Sequence, residues 1–360
     1  MDRKIVRQED REMPIEKIDI ARFLSMTGIP VIDVRSPAEF EHARIPGAYS
    51  LPLFSNEERA IVGTAYKQES REKAIKLGLD FFGVKMRRMI EEVETVLKGE
   101  QSKHVVVYCW RGGMRSAGVA WLLDVYGFKV FTLIGGYKAY RRWVLDFLKK
   151  DHDLNILGGY TGSGKTEILN HLGELGNSVV DLEGLANHKG SAFGAIGLPM
   201  QPSQEMFENL VALELYQQGL KGQPIWLEDE SQRMGLLNLP QGFWTTMRTK
   251  PNYFIDVPYE NRLQYIVKHY GNLPKGDLAA AIMRIRKRLG GLETKTALSH
   301  LAEDNLTECF RILLFYYDKL YKKALQNRPA TTTVISIEAP EAGEMSTAKL
   351  IMKSKQNENA

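Results

Sequence analysis

The chain has 360 residues, 44% hydrophobic and 26% charged, with 48 Lys and Arg against 44 Asp and Glu for a net charge of +4. No apolar run approaches the ~18 residues of a membrane span, which excludes a transmembrane helix. Two cysteines, Cys109 and Cys309, exclude a disulfide framework and a four-thiolate zinc site, and none of the 7 histidines forms a His-x3-His pair that would point to a protein-held catalytic metal.

The length suggests two domains. The charged opening, MDRKIVRQEDREMP, lacks the apolar stretch of a secretory signal, so a cytoplasmic protein without membrane attachment is expected. The mildly basic balance is compatible with an RNA partner. From residue 16 to 143, short β-rich runs alternate with helical ones. PVIDV (30–34), HVVVYC (104–109) and KVFTLIGG (129–136) read as buried strands, being short, β-branched and bounded by turn residues. RSAGVAWLLDVYG (115–127) reads as a helix ending at Gly127. Such alternation implies a parallel sheet with helices on both faces.

The strand HVVVYC runs into Cys109, Trp110, Arg111, Gly112, Gly113, Met114, Arg115 and Ser116, where the helix begins. A loop between a strand end and a helix start turns its N–H groups inward, and the helix dipole adds positive charge, making an anion cradle. In that field a thiolate at Cys109 is stabilised and becomes nucleophilic, and Arg115 can pair with oxyanion oxygens through its two-pronged guanidinium. A buried structural cysteine is the plainer reading of a lone Cys. The two glycines and two arginines beside it favour the nucleophile.

VIDVRSPAEFEHARIPGAYSLPL (31–53) resembles the rhodanese signature D-x-R-x-x-x-E-[FY]-x-x-x-H-I-P-G-A, and LIGGYKAYRRW (133–143) resembles the closing segment of the same fold. The resemblance implies that Asp33 and Arg35, at a strand end, orient the cysteine loop by hydrogen bonds. The Cys-x5-Arg-Ser spacing is wider than in many rhodaneses that move bare sulfur and is similar to that of rhodanese-like phosphatases and arsenate reductases. It suits a tetrahedral oxyanion, so a chalcogen carried on phosphorus is one donor and a phosphatase substrate remains the rival.

A charged helical stretch, AYRRWVLDFLKKDHD (139–153), links the halves. The second half restarts with the strand LNILGG (154–159), and NSVVDLE (177–183), PIWLEDE (224–230), NYFIDVP (252–258) and TTVISIEA (332–339) read as further strands. Gly159, Tyr160, Thr161, Gly162, Ser163, Gly164, Lys165 and Thr166 satisfy G-x-x-x-x-G-K-[ST] between a strand and a helix, the context a P-loop requires. Its N–H groups surround a diphosphate, Lys165 reaches the terminal phosphate, and Thr166 can hold Mg2+. A partner carboxylate is expected at a neighbouring strand end. Asp229 is the first choice, with Glu228, Asp181 and Glu183 beside it, and solvated acids are the alternative for each.

The polar, glycine-rich run 187–194 reads as a site loop. Arg284, Arg286, Lys287 and Arg288 gather near a helix end, where they serve as RNA-phosphate contacts, a lid over diphosphate, or a solvated helix end. Cys309 lies in a strongly apolar helix and reads as core. The polar last twenty residues read as a mobile tail.

The expected architecture is therefore α/β: a rhodanese-like parallel-sheet domain over residues 14–145, a P-loop NTPase-like α/β domain over 146–340, and a flexible tail over 341–360. A rhodanese domain carrying CWRGGMRS, followed by GGYTGSGKT, DLEGLANHKGSAFG (181–194) and IWLEDES (225–231), resembles the bacterial tRNA 2-selenouridine synthases. That resemblance implies a selenotransferase acting on tRNA that carries 2-thiouridine at the wobble position. It implies selenophosphate and geranyl diphosphate as substrates, an S-geranyl-2-thiouridine intermediate, a separate enzyme that supplies selenophosphate, and no tightly bound cofactor. Cys109 corresponds to the essential rhodanese cysteine, and residues 159–166 to the Walker A element. A rhodanese-like phosphatase or sulfurtransferase fused to a kinase-like domain shares both loops and stays open at this point.

Overall fold

The β-branched runs form two separate parallel sheets, each closed over by helices whose apolar faces cover it. The computed structural model describes residues 15–98 and 103–358, and the charged opening lies outside them. Two compact units divide the chain, Met1–Asp146 and Phe147–Ala360. Among the described residues no helix is long and apolar enough to cross a membrane.

In the first unit, β1 (Glu16–Ile18), β2 (Val31–Asp33), β3 (Tyr49–Ser50), β4 (His104–Tyr108) and β5 (Lys129–Leu133) lie in the order β1-β5-β4-β2-β3, all parallel. Val105 and Val107 of β4 and Ile32 of β2 are buried with Val119 and Leu123 of the helix Met114–Tyr126. Gly127 caps that helix in the left-handed conformation, φ 109°, which explains why it stops there. Three helices between residues 56 and 96 precede β4.

In the second unit, β6 (Leu154–Gly159), β7 (Ser178–Val180), β8 (Ile225–Glu228), β11 (Asn252–Asp256) and β12 (Val334–Glu338) lie in the order β12-β11-β6-β8-β7, again parallel. A small antiparallel pair, β9 (Arg233–Met234) and β10 (Leu237–Asn238), follows β8. Four helices between Tyr259 and Gln326 share their own apolar core around Leu263, Ile282, Leu301 and Phe310. Both units are α/β, as the alternation of strand and helix patterns predicts.

The predicted mobile tail is instead a helix, Met345–Glu358. Ala348 and Ile351 are fully buried in a cluster with Ile168, Leu169 and Ile337. The polar composition masks an apolar stripe at 345, 348, 351 and 352, the spacing of one helix face. The segment ahead of the helix matters to the site as well, because Gly343 lies so close to Gly164 that a Cβ on Gly164 would collide with it.

Candidate functional site

Cys109 follows the last residue of β4, and Gly113 caps the helix that begins at Met114. The thiol is 3% exposed. The Gly113 N–H lies 3.3 Å from Sγ and the Ser116 hydroxyl 3.2 Å. Burial pushes the thiol pKa up, but hydrogen bonds from the Ser116 hydroxyl and from the Ser116, Arg111 and Gly113 amides outweigh it, leaving Cys109 below the ordinary thiol value. Two glycines make this curl possible. Gly136, at φ 56°, passes so near that a Cβ would collide with the Cys109 carbonyl, and a Cβ on Gly112, at φ 63°, would lie 3.1 Å from the Gly135 nitrogen.

Asp33 and Arg35 are 0% and 1% exposed and form a buried pair, with Arg35 Nε 2.9 Å from Oδ1 and Nη2 2.6 Å from Oδ2. They act on the loop at one remove. The Tyr108 hydroxyl donates to Asp33 at 2.7 Å, and the Arg35 guanidinium stacks 4.0 Å from the Tyr137 ring. Tyr137 in turn donates its N–H to the Cys109 carbonyl at 2.9 Å.

Arg115 departs from expectation. Its guanidinium grips Glu39, Nη1 to Oε2 at 2.7 Å and Nη2 to Oε1 at 3.3 Å. Burial raises the Glu39 carboxyl, Arg115 outweighs that, and the carboxyl ends below its usual range. The fork expected to hold an oxyanion is thus held by a carboxylate, and Arg111, exposed on the loop, is the cation that faces outward. Met114 is exposed as well, while Ser116 is buried against the sulfur.

The Ser116 contact carries a prediction. Ser116→Ala should slow alkylation of Cys109 by iodoacetamide at neutral pH roughly tenfold, since the thiolate loses a charge-assisted bond of ~1.4 kcal/mol or more. A pH series read by peptide mass checks this, with the midpoint moving upward. Cys309, buried in a helix core and pushed up to about 11, should stay unmodified throughout.

In the second unit the P-loop connects β6 to the helix Lys165–Glu174, with Gly162 at φ 81° and Gly164 at φ 71°. Lys165 Nζ donates to the Gly159 carbonyl at 3.1 Å. Thr166 Oγ1 donates to Glu183 at 3.4 Å, and the fully buried Ser163 hydroxyl has no hydrogen-bond partner among the described residues. Two residues outside the motif hold the loop. Arg262, in a buried pair with Asp318 at 2.9 and 2.8 Å, donates to the Thr161 carbonyl at 3.0 Å. The Tyr321 hydroxyl accepts from the Gly159 N–H at 3.0 Å and donates to Asp229 at 2.7 Å.

That last bond engages Asp229, the first choice for the metal-side carboxylate, which the cluster of acids below does not include. Asp229 is held by Arg328, Tyr321 and Asn252. Asp181 is a helix cap, accepting from the Gly184 N–H at 2.7 Å. The acids that gather instead are Glu183, Glu228 and Glu230, with donor atoms within 4.8 Å of one another. Glu228 is fully buried, and among the described residues neither of its oxygens takes a hydrogen bond of good geometry. Burial, then repulsion from Glu230, pushes Glu183 up to about 8 against the pull of Lys165; burial also raises Glu228 and Glu230, helped by repulsion from Glu183 and from Glu228 respectively. Hard carboxylate oxygens that are strained together and adjoin a P-loop threonine fit Mg2+. β8 ends at Glu228, so Glu230 reaches the cluster from just past the strand, where alternation of faces gives no firm signal.

A cleft of about 1350 Å³ opens from the P-loop. Lys189, Arg233, Arg248, Arg284 and Arg328 line it together with Trp244, Tyr265, Tyr270, Tyr317 and Tyr321. The loop predicted at 187–194 contributes Lys189, Gly190 and Ser191, and Arg284 donates to its Ala192 carbonyl at 2.7 Å. Arg288 also lines the cleft, whereas Arg286 and Lys287 are exposed and lie outside that lining.

Comparison with known proteins matches both units. Residues 19–142 fit the model of the rhodanese-like domain, and residues 152–345 fit that of the tRNA 2-selenouridine synthase AAA domain. The tRNA 2-selenouridine synthase of Nitrosomonas eutropha is 34% identical over 353 residues, covering 83% of this chain and 89% of that protein. Those of Hydrogenovibrio crunogenus and Pseudomonas savastanoi pv. phaseolicola are 34% and 36% identical, covering 84% and 86% of this chain and 91% and 92% of theirs. With both domain models matched in order and full-length relatives aligned across the thiolate loop and the P-loop alike, the chain belongs to the tRNA 2-selenouridine synthase family.

Proposed function

We propose that the enzyme converts wobble 2-thiouridine in tRNA to 2-selenouridine in two steps shared between its units. In the first, the thiocarbonyl sulfur attacks C1 of geranyl diphosphate. The carbon–oxygen bond to diphosphate breaks, and the uridine N3 proton is lost. Alkylation turns a poor leaving group into a good one. In the second, selenide attacks C2 and the geranyl thiol departs with the returned proton.

The observation behind this reading is that each unit carries a glycine-bearing turn between a strand and a helix, and that the reactive cysteine, Cys109, lies in the first. The P-loop fits the diphosphate head, with Lys165 on the leaving oxygens. Mg2+, held by Thr166 with Glu183, Glu228 and Glu230, would neutralise the departing diphosphate. The Cys109 cradle fits selenophosphate. Attack of the thiolate on phosphorus breaks the phosphorus–selenium bond and frees selenide, with water later clearing the phosphocysteine. Attack on selenium would leave phosphite and demand a reductant, so the first route balances without a further reagent. The exposed Arg286 and Lys287 are suited to RNA phosphates.

Nucleoside mass analysis of thiolated tRNA tests the scheme. Geranyl diphosphate alone should give S-geranyl-2-thiouridine, and added selenophosphate should convert it to 2-selenouridine. A requirement for ATP or GTP hydrolysed in step with turnover would remove geranyl diphosphate from the P-loop.

A further inference from the structure

The cleft has an apolar side pocket. It is a small space of about 30 Å³ whose walls include Thr161 of the P-loop together with Ile266, Tyr270 and Tyr317, all of which also line the cleft. Its floor is Phe193, Phe310, Leu313 and Leu314, each no more than 5% exposed. Its floor is wholly apolar, and some of the polar atoms at its rim are already engaged. The Tyr317 hydroxyl accepts from the Ala192 N–H at 3.3 Å, Ser191 Oγ accepts from the Phe193 N–H at 3.2 Å, and the Thr161 carbonyl accepts from Arg262 at 3.0 Å. A base or sugar pressed against Phe193, Phe310, Leu313 and Leu314 would find no polar side-chain atom there and would leave its own polar groups unpaired, at a cost of ~1–3 kcal/mol each. An apolar group pays no such penalty.

Resting on the two-step reading above, we infer that this pocket seats the far, branched end of the substrate's isoprenoid chain and that its floor measures chain length. A cavity needs roughly 10–15 Å³ to hold one water-sized group, so the space suits about two methyl-sized groups. An isoprenoid chain ends in two methyls on one carbon. With the diphosphate fixed on the P-loop, a shorter chain leaves the pocket empty and a longer one meets Leu313 and Phe310.

The test is equilibrium binding of inorganic, dimethylallyl, geranyl and farnesyl diphosphates to the full chain. Geranyl diphosphate should bind at least about tenfold tighter than the dimethylallyl and farnesyl compounds, the scale at which an apolar pocket discriminates chain length. Leu313→Phe, which fills the pocket, should bring geranyl diphosphate down to the dimethylallyl level while leaving inorganic diphosphate unchanged. Phe310→Leu, which lowers the floor, should narrow the penalty on farnesyl diphosphate. Inorganic diphosphate binding shows that each variant is folded. Equal affinity for the three chain lengths, or a Leu313→Phe protein with undiminished preference for geranyl diphosphate, overturns the pocket's role and leaves the two-step reading standing. If geranyl diphosphate bound no tighter than inorganic diphosphate and ATP displaced it, the two-step reading would fall as well.

Discussion

Cys109→Ala protein is expected to accumulate S-geranyl-2-thiouridine in tRNA and to make no 2-selenouridine. The sulfur at position 109 is the only nucleophile in its cradle that the amides of Arg111, Gly113 and Ser116 hold in reactive form. Removing a positioned nucleophile costs at least about 10³ in rate, because no neighbouring group can take over bond formation. Folding should survive, since Cys109 is one small member of a larger apolar cluster with Val107, Val119 and Ala120. Cys109→Ser separates chemistry from packing. It restores the volume without the thiolate and should be as inactive as alanine. Geranylation should change less than about twofold in both variants, because the P-loop and its cleft are built from residues of the other unit alone. Time courses of nucleoside composition read both products at once. Loss of the geranylated nucleoside in either variant would break the division of labour between the units.

The two strand–loop–helix turns were legible because each motif fixes the backbone as well as naming its chemistry. Glycines at 112, 162 and 164 demand positive φ, and the strand and helix on either side were readable from their apolar patterns. What stayed hidden depends on long-range partners. Arg115 looked available for an oxyanion because Glu39, 76 residues away, could not be placed against it. Asp229 looked like a metal ligand because Tyr321 and Arg328, which bind it, lie 92 and 99 residues further on. Glu183 and Glu228 already stood beside Asp229 as candidates, and Glu230 was the acid left out, because it lies past the end of its strand. Arg262 gave no signal at all. Nothing local distinguishes it from any helix arginine until the helix 259–270 folds against residue 161. The last helix was missed because its apolar stripe is narrow and the surrounding residues are polar.

Lys165→Ala should weaken geranyl diphosphate binding roughly a hundredfold, equivalent to ~3 kcal/mol for a charge-assisted contact to a desolvated phosphate. Two effects combine. The ammonium is lost from the diphosphate itself, and the cation that opposes the raised pKa values of Glu183, Glu228 and Glu230 disappears with it. Without Lys165 these carboxyls hold their protons more firmly, so the cluster also becomes a poorer site for Mg2+. Lys165→Arg keeps the charge but carries a planar fork in place of a compact ammonium, and should recover only part of the affinity. The selenium step supplies the internal control. Given tRNA that is already geranylated, Lys165→Ala protein should form 2-selenouridine at close to the normal rate, since that step draws on Cys109 and selenophosphate. Cys109→Ala and Lys165→Ala therefore form a reciprocal pair, each blocking the step the other spares. Calorimetry with geranyl diphosphate and with ATP decides the remaining point. If Lys165→Ala lost ATP binding while geranyl diphosphate bound as before, the P-loop would serve a nucleotide, and the isoprenoid would have to be held elsewhere in the protein.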